Sequence, residues 1–240
     1  MRLNQFLAHH LGVSRREADS WVSKGMVKIN NDVGQLFNKV EANDEIEYYK
    51  NGQWQKITTT SANNSILLVY KPIFVVATQK DQLKRRTVYN ILPKNFHTFK
   101  VANRLDYMSE GLLVMRSDGN LLQDLTHPKF EVSKIYLIGL KEKMKYEQLK
   151  QLQNGGLQVD DGLIKPMKVE LLATLKDYIY LNLQKEQIWY KITINETKNS
   201  HIRVVLGILG LQPQRLIRMK YGQFEVDAKL VEKKFLLLAR

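Results

Sequence analysis

Cysteine is absent from the chain, which excludes disulfides, thiolate zinc sites, iron–sulfur ligation and a cysteine nucleophile. The five histidines, at positions 9, 10, 97, 127 and 201, show no metal-motif spacing with carboxylates nearby, so no metal site is expected. No apolar run approaches the roughly eighteen residues needed to cross a bilayer. The start, Met1-Arg2-Leu3-Asn4, lacks the apolar segment of a secretory signal. A cytosolic protein without membrane contact is expected. Also missing are a Gly-x-Ser-x-Gly elbow, a Gly-x-x-x-x-Gly-Lys phosphate loop and a Gly-x-Gly-x-x-Gly turn. Their absence argues against hydrolase, NTPase and dinucleotide chemistry and weakens an S-adenosylmethionine methyltransferase reading.

Acid is scarce where base is dense. The formal net charge is +13, yet residues 1–50 carry seven basic and seven acidic residues, so the whole excess lies in residues 51–240. Two windows have no acid at all: 82–105, with Lys84, Arg85, Arg86, Lys94, Lys100 and Arg104, and 197–224, with Lys198, Arg203, Arg215, Arg218 and Lys220. Base clustered in this way gives a field with direction, the footprint of a nucleic-acid partner. With 240 residues, 44% hydrophobic and 25% charged, the chain has ordinary globular usage and room for two domains.

In residues 1–50, Leu3, Phe6, Leu7 and Leu11 recur at helical spacing. Ser14 can cap a second helix, whose apolar face is Ala18, Trp21 and Val22 and which ends at Gly25. Alternation then predicts strands at Met26–Asn30 and Glu45–Tyr48, with a turn at Asn31-Asp32. Residues 51–64 are polar and read as a linker. From residue 65 the pattern predicts strands at Ile66–Tyr70, Phe99–Ala102, Leu112–Met115, Val132–Leu140, Tyr178–Leu183 and Trp189–Ile194. Helices are expected around Thr87–Leu92, Asn120–Leu125, Tyr146–Leu152 and Ser200–Leu209. Strands outnumber helices without alternating strictly with them, so the expected class is α+β, with a mostly antiparallel sheet in residues 65–240.

Residues 1–50 resemble the S4 RNA-binding domain. Arg2-Leu3-Asn4…Leu7, Ser14-Arg15-Arg16-Glu17-Ala18 and Gly25-Met26-Val27-Lys28-Ile29-Asn30 fall in its order, departing at Asn4 and Asn31. The resemblance implies that the second helix and the following strand face structured RNA, with Arg15, Arg16, Lys24 and Lys28 as phosphate contacts.

Asp106 stands at the end of an acid-free window, where a carboxylate repels a phosphate ligand. Alone it reads as a turn or cap residue. Its surroundings resemble pseudouridine synthases, specifically the RsuA-like group of bacterial ribosomal RNA enzymes that pair an S4 domain with the catalytic fold. Arg104-Leu105-Asp106, Glu110-Gly111-Leu112-Leu113 and Ser117-Asp118-Gly119 carry the resemblance. Tyr70-Lys71-Pro72, Thr126-His127-Pro128-Lys129, Lys134-Ile135-Tyr136, Ile202-Arg203 and Leu216-Ile217-Arg218-Met219-Lys220-Tyr221-Gly222 extend it across the chain.

The resemblance implies cofactor-free isomerisation of a uridine in ribosomal RNA, acting on the RNA or on an assembling subunit, by a protein expected to be monomeric. Asp106 is then the catalytic carboxylate, as nucleophile or as base at the sugar. Arg203 is its basic partner, keeping its pKa low and fixing its orientation. Tyr136 is the aromatic that stacks on uracil, and Arg104 fills the space of the flipped base. Lys71 and Lys134 join the RNA-binding set, with a structural role as the alternative. Asn103, Arg116-Ser117, Thr197 and Val204 depart from the family pattern. Two other readings are a non-catalytic RNA-binding or assembly protein, disfavoured by the intact Asp106, Tyr136 and Arg203, and an S4-linked enzyme of different chemistry, disfavoured by the missing glycine-rich turn.

Overall fold

The computed structural model describes residues 1–11, 13–41, 43–57, 65–117, 132–160, 162–195 and 201–238. These fall into two compact units, Met1–Asn63 and Asn64–Arg240.

In the first unit, helices α1 (Leu3–Leu11) and α2 (Arg15–Ser23) precede strands β1 (Val27–Ile29), β2 (Asp32–Val33), β3 (Ile46–Lys50) and β4 (Gln53–Lys56). The strands pair in the order β2-β1-β3-β4. Ser14 caps α2 as its spacing requires, its hydroxyl accepting from the Glu17 amide at 3.1 Å. Leu3, Phe6, Leu7, Ala18 and Val22 pack with Val27 and Ile46 into a small core. The polar stretch 51–64, read as a linker, begins as structure instead. Asn51 and Gly52, both at positive φ, turn the β3–β4 hairpin, the backbone that a two-residue turn of this hand demands. Ile57 packs on the core, and residues 58–64 lie outside the described residues.

The second unit contains β5 (Ile66–Lys71), α3 (Val88–Ile91), β6 (Lys100–Val101), β7 (Glu110–Arg116), β8 (Ser133–Leu140), α4 (Tyr146–Asn154), β9 (Gln158–Val159), β10 (Gly162–Leu163), β11 (Lys168–Leu171), β12 (Ile188–Asn195), α5 (His201–Ile208), β13 (Arg215–Tyr221), β14 (Phe224–Glu225), α6 (Ala228–Lys233) and β15 (Phe235–Leu238). Its main sheet runs β11-β12-β8-β13-β7-β5-β15, with β14 on β13 and β6 on β7. All these pairings are antiparallel except β7 with β13. The fold is thus mixed α+β.

Strand side chains alternate between faces, and each face of this sheet has its own core. One joins Leu67, Val69, Leu113, Met115, Ile138, Ile192 and Leu216 to α3, α4 and α5. The other joins Leu68, Leu112, Val114, Leu137, Trp189 and Ile217 to α6.

One expected strand is absent here, and one central strand was not foreseen. Tyr178–Leu183, expected as a strand, is a 3-10 segment over Lys176–Leu181 that ends at left-handed Asn182. Its alternation arises because Tyr178, Tyr180 and Leu181 cover the second core while Ile179 is 82% exposed. The central strand β13 was not expected at all. The expected helix at 120–125 and the start of the one at 200–209 lie outside the described residues, as do Thr126-His127-Pro128-Lys129, Asp118-Gly119 and Thr197. Among the described residues no helix is long and apolar enough to cross a membrane.

Candidate active site

A single row of partnered residues crosses the sheet: Lys71 on β5, Gly111 on β7, Arg218 on β13, Tyr136 on β8 and Ile192 on β12. Directly paired residues project to one face, so Lys71, Arg218 and Tyr136 share the face of the first core. Gly111 leaves a gap between the two cations, and only glycine fits there. Its φ is +106°, and a Cβ would stand 2.4 Å from the Arg218 carbonyl oxygen and 2.8 Å from its nitrogen.

Asp106 lies in the loop above this gap, and three elements hold that loop. From β13, the fully buried Arg218 donates from Nη1 to Asn103 Oδ1 at 2.7 Å and the Arg104 carbonyl at 3.1 Å, from Nη2 to the Asn103 carbonyl at 3.3 Å, and from Nε to the Leu112 carbonyl at 2.8 Å. From the turn after β5, the Phe74 amide donates to the Tyr107 carbonyl at 2.8 Å. That turn is itself closed by Lys71 Nζ, which donates to the Pro72 and Val75 carbonyls, each at 2.8 Å. From α5, Arg203 donates from Nε to Ser109 Oγ at 3.1 Å and from Nη2 to the Met108 carbonyl at 2.5 Å. The loop closes on itself where the Ser109 amide donates to the Asp106 carbonyl.

Every side chain holding the loop bonds to backbone or to neighbours of Asp106. Among the described residues no side chain hydrogen-bonds to the Asp106 carboxylate itself. The carboxylate is half-buried, and burial raises its pKa against the opposing pull of Arg203, Arg218, Lys71 and Arg104. A desolvated carboxylate is a stronger base than a solvated one, yet nearby cations favour its ionised form. Burial pushes Lys71 down to about 7 despite the attraction of Asp106, and it raises Tyr136 against the opposing pull of the nearby Arg218 guanidinium.

The expected residues divide accordingly. Asp106 and Arg203 are brought together, but electrostatically and through the shared turn rather than by a direct bond. The expectation that a basic partner holds the Asp106 pKa low is corrected, because desolvation outweighs the cations. Arg104 is exposed beside Asp106. Tyr136 is 2% exposed, a floor residue whose ring leaves almost no open face for a base to stack on. Lys71 and Lys134, expected to contact RNA, are 0% and 2% exposed, so neither presents its ammonium to a phosphate.

In the first unit, Arg15, Arg16 and Lys24 are exposed, while Lys28 lies over the Trp54 ring at 4.2 Å. Arg15 and Arg16 occupy the first turn of α2, where the helix dipole disfavours cations. Two basic windows also carry less free charge than their composition implied. Arg85 is paired with Asp81, and Arg215 is held bidentately by Glu110.

Arg218 was missed as a site residue although its motif was recognised, because a charged residue reads as surface. Phe74 and Met108, exposed apolar residues beside the loop, were also missed. Phe74 has φ +63°, and a non-glycine residue in that region is the one signal a sequence cannot carry. Among the described residues no group of three or more His, Asp or Glu gathers in a way that could hold a metal.

Comparison with known proteins agrees with this geometry. The family model described as RNA pseudouridylate synthase matches residues 65–207. The chain is 30% identical over 231 residues to a ribosomal large subunit pseudouridine synthase B from Yersinia pestis, covering 95% of this chain and 70% of the relative. A protein of the same name from Bacillus subtilis is 30% identical over 222 residues, covering 92% and 85%. An uncharacterized RNA pseudouridine synthase from Helicobacter pylori is 30% identical over 240 residues, covering 97% and 88%. A solved structure, described as that of a pseudouridylate synthase, shares the fold with TM-score 0.65 at 24% identity, covering 100% of this chain and 96% of that one.

These findings correct the RsuA-like assignment. The relatives are of the large-subunit synthase B type, and the matching family model begins at residue 65, with no separate S4 module identified before it. Matched by the family model over more than half of its length and 30% identical to curated members almost end to end, the chain belongs to the RNA pseudouridylate synthases, enzymes that isomerise uridine in RNA to pseudouridine.

Proposed function

We propose that this enzyme isomerises a specific uridine of ribosomal RNA, in the large subunit, and that Asp106 is the carboxylate acting at C1′ of the target ribose, as nucleophile or as base. The observation that carries the catalytic part is the state of Asp106: a half-buried carboxylate without a side-chain hydrogen-bond partner among the described residues, in the field of Arg203, Arg218, Lys71 and Arg104. A structural Asp in such a place would be expected to accept hydrogen bonds from the guanidinium groups around it. Here Arg203 and Arg218 direct their hydrogen bonds to the loop and leave the carboxylate to the substrate. Arg203 keeps the Asp106 turn against α5 and contributes charge to it. Arg104, exposed alongside, is available to the RNA. Arg15, Arg16 and Lys24 in the first unit are candidate phosphate contacts. The names of the relatives support ribosomal RNA of the large subunit as the substrate class.

Pseudouridine mapping in large-subunit RNA from cells with and without this protein tests the reading. The expected result is one site lost in the deletion and restored when purified protein is added to the deproteinised RNA. Identical maps, or restoration only in small-subunit RNA, would refute the substrate assignment.

A further inference from the structure

We infer that Arg218 is the positioning residue for Asp106: three of its four hydrogen bonds tie Asn103 and Arg104 to the sheet, the fourth holds the Leu112 carbonyl of β7, and together they aim the carboxylate. The inference rests on the reading of Asp106 as catalytic. Three features carry it. Arg218 is fully buried, one of the largest side chains in that state. An Arg buried so completely is retained only where its donors are satisfied, and here three of its nitrogens reach four acceptors, three of them on Asn103 and Arg104. Those residues immediately precede Leu105 and Asp106.

The second feature is Gly111. Its missing side chain lets the β13 backbone run against β7 at Arg218, so the guanidinium reaches the loop from beneath. The third is Asn103, which stands where the resemblance leads one to expect Gly. Its Oδ1 takes the shortest of the four bonds, at 2.7 Å, and the Tyr221 hydroxyl also bonds to this side chain. This chain therefore ties its loop to Arg218 through a side chain as well as through backbone.

A planar guanidinium can span three separated carbonyls and an amide oxygen; an ammonium has neither the reach nor the geometry. Arg218 also contributes charge to Asp106. The charged and titratable groups around that carboxylate are Arg104 in its own loop, Lys71 on β5, Tyr136 on β8, Arg203 on α5 and Arg218 on β13, with Glu110 of β7 acting on Lys71. Geometry and charge are thus separable by substitution.

The test compares wild type, Arg218→Lys, Arg218→Met and Asn103→Ala, assayed below their melting temperatures by tritium release from ribosomal RNA transcripts labelled at C5 of uridine. For Arg218→Met, kcat is expected to fall on the order of 10²- to 10³-fold with KM for RNA within about twofold, the size of loss that follows misplacing a catalytic group. Its acid limb should move to higher pH because Asp106 loses a cation. Arg218→Lys should restore the acid limb but little of kcat. Asn103→Ala, which keeps the backbone acceptors, should lose roughly tenfold in kcat with the limb unmoved. Should Arg218→Met not fold, the lysine and Asn103 variants decide alone.

Wild-type kcat in Arg218→Lys and Asn103→Ala, or losses confined to KM or melting temperature, would overturn the inference. So would an unmoved acid limb in a folded Arg218→Met. Asp106→Asn, run in parallel, separates the two levels. If it is active, the reading of Asp106 fails. If it is inactive while the Arg218 variants behave as wild type, only the positioning role fails.

Discussion

Replacing Gly111 with alanine puts a carbon 2.4 Å from the Arg218 carbonyl oxygen and 2.8 Å from its amide nitrogen. Both neighbours are backbone of the central strand and cannot rotate away, so β7 and β13 must part by about 1 Å to restore ordinary contact, an overpacking worth on the order of 1–3 kcal/mol. The φ of +106° adds strain of roughly 1–3 kcal/mol for any residue with a Cβ. The combined destabilisation is about 4 kcal/mol, which in a unit of this size lowers Tm by roughly 8–16 °C. Gly156→Ala is the control. Gly156 has φ +78° with nothing within 4 Å of an added Cβ, so it carries the backbone term alone, about 1–2 kcal/mol. Thermal unfolding by circular dichroism measures both. A Tm loss in Gly111→Ala no larger than in Gly156→Ala would refute the close approach of β7 to β13 on which the site's floor depends.

Two further predictions concern charge. Burial takes Lys71 from its ordinary 10.5 to about 7, so between those values the unfolded chain binds more protons at this position than the folded one. Stability from this group therefore rises with pH from about 7 to about 10.5 and is lost as pH falls through 7. Lys71→Met should flatten that part of the Tm–pH curve, and an unchanged slope would count against the buried, desolvated ammonium. Glu110→Gln removes the charge and one of the two oxygens that accept from Arg215 bidentately and from the Tyr70 hydroxyl. It should cost about 1.5–3 kcal/mol, seen as a lower Tm, while turnover persists because these bonds lie on the sheet face opposite Asp106.

Much of this fold was legible where local chemistry is decisive. The Ser14 cap, the apolar stripe of α2 and the eight-residue strand β8 follow from capping and periodicity alone. What was not legible depends on partners distant in sequence. The strand Arg215–Tyr221 is central to the sheet, yet its Arg215, Arg218 and Lys220 read as basic surface; each finds an acceptor more than a hundred residues away or across a hairpin. Lys71 and Lys134 read as RNA-binding for a related reason: their burial is set by the sheet around them, and Lys71 turns its ammonium back onto the Pro72 and Val75 carbonyls. Conversely, Tyr178–Leu183 alternates like a strand because it lies as a cover over the second core, where only one side meets apolar neighbours. The motif order singled out Asp106 and Arg203, but the support given by Arg218 and Phe74 arises from sheet register and backbone conformation. Neither is encoded in short-range pattern.

The most direct test of the central claim is the rate of tritium release from C5-labelled ribosomal RNA by Asp106→Asn, measured beside its RNA affinity. The substitution is nearly isosteric, and the loop is held through backbone and neighbouring side chains rather than through the carboxylate, so folding and binding should persist. Turnover should fall below detection. Turnover within tenfold of wild type, with RNA binding intact, would contradict the assignment of Asp106 as the group that performs the chemistry.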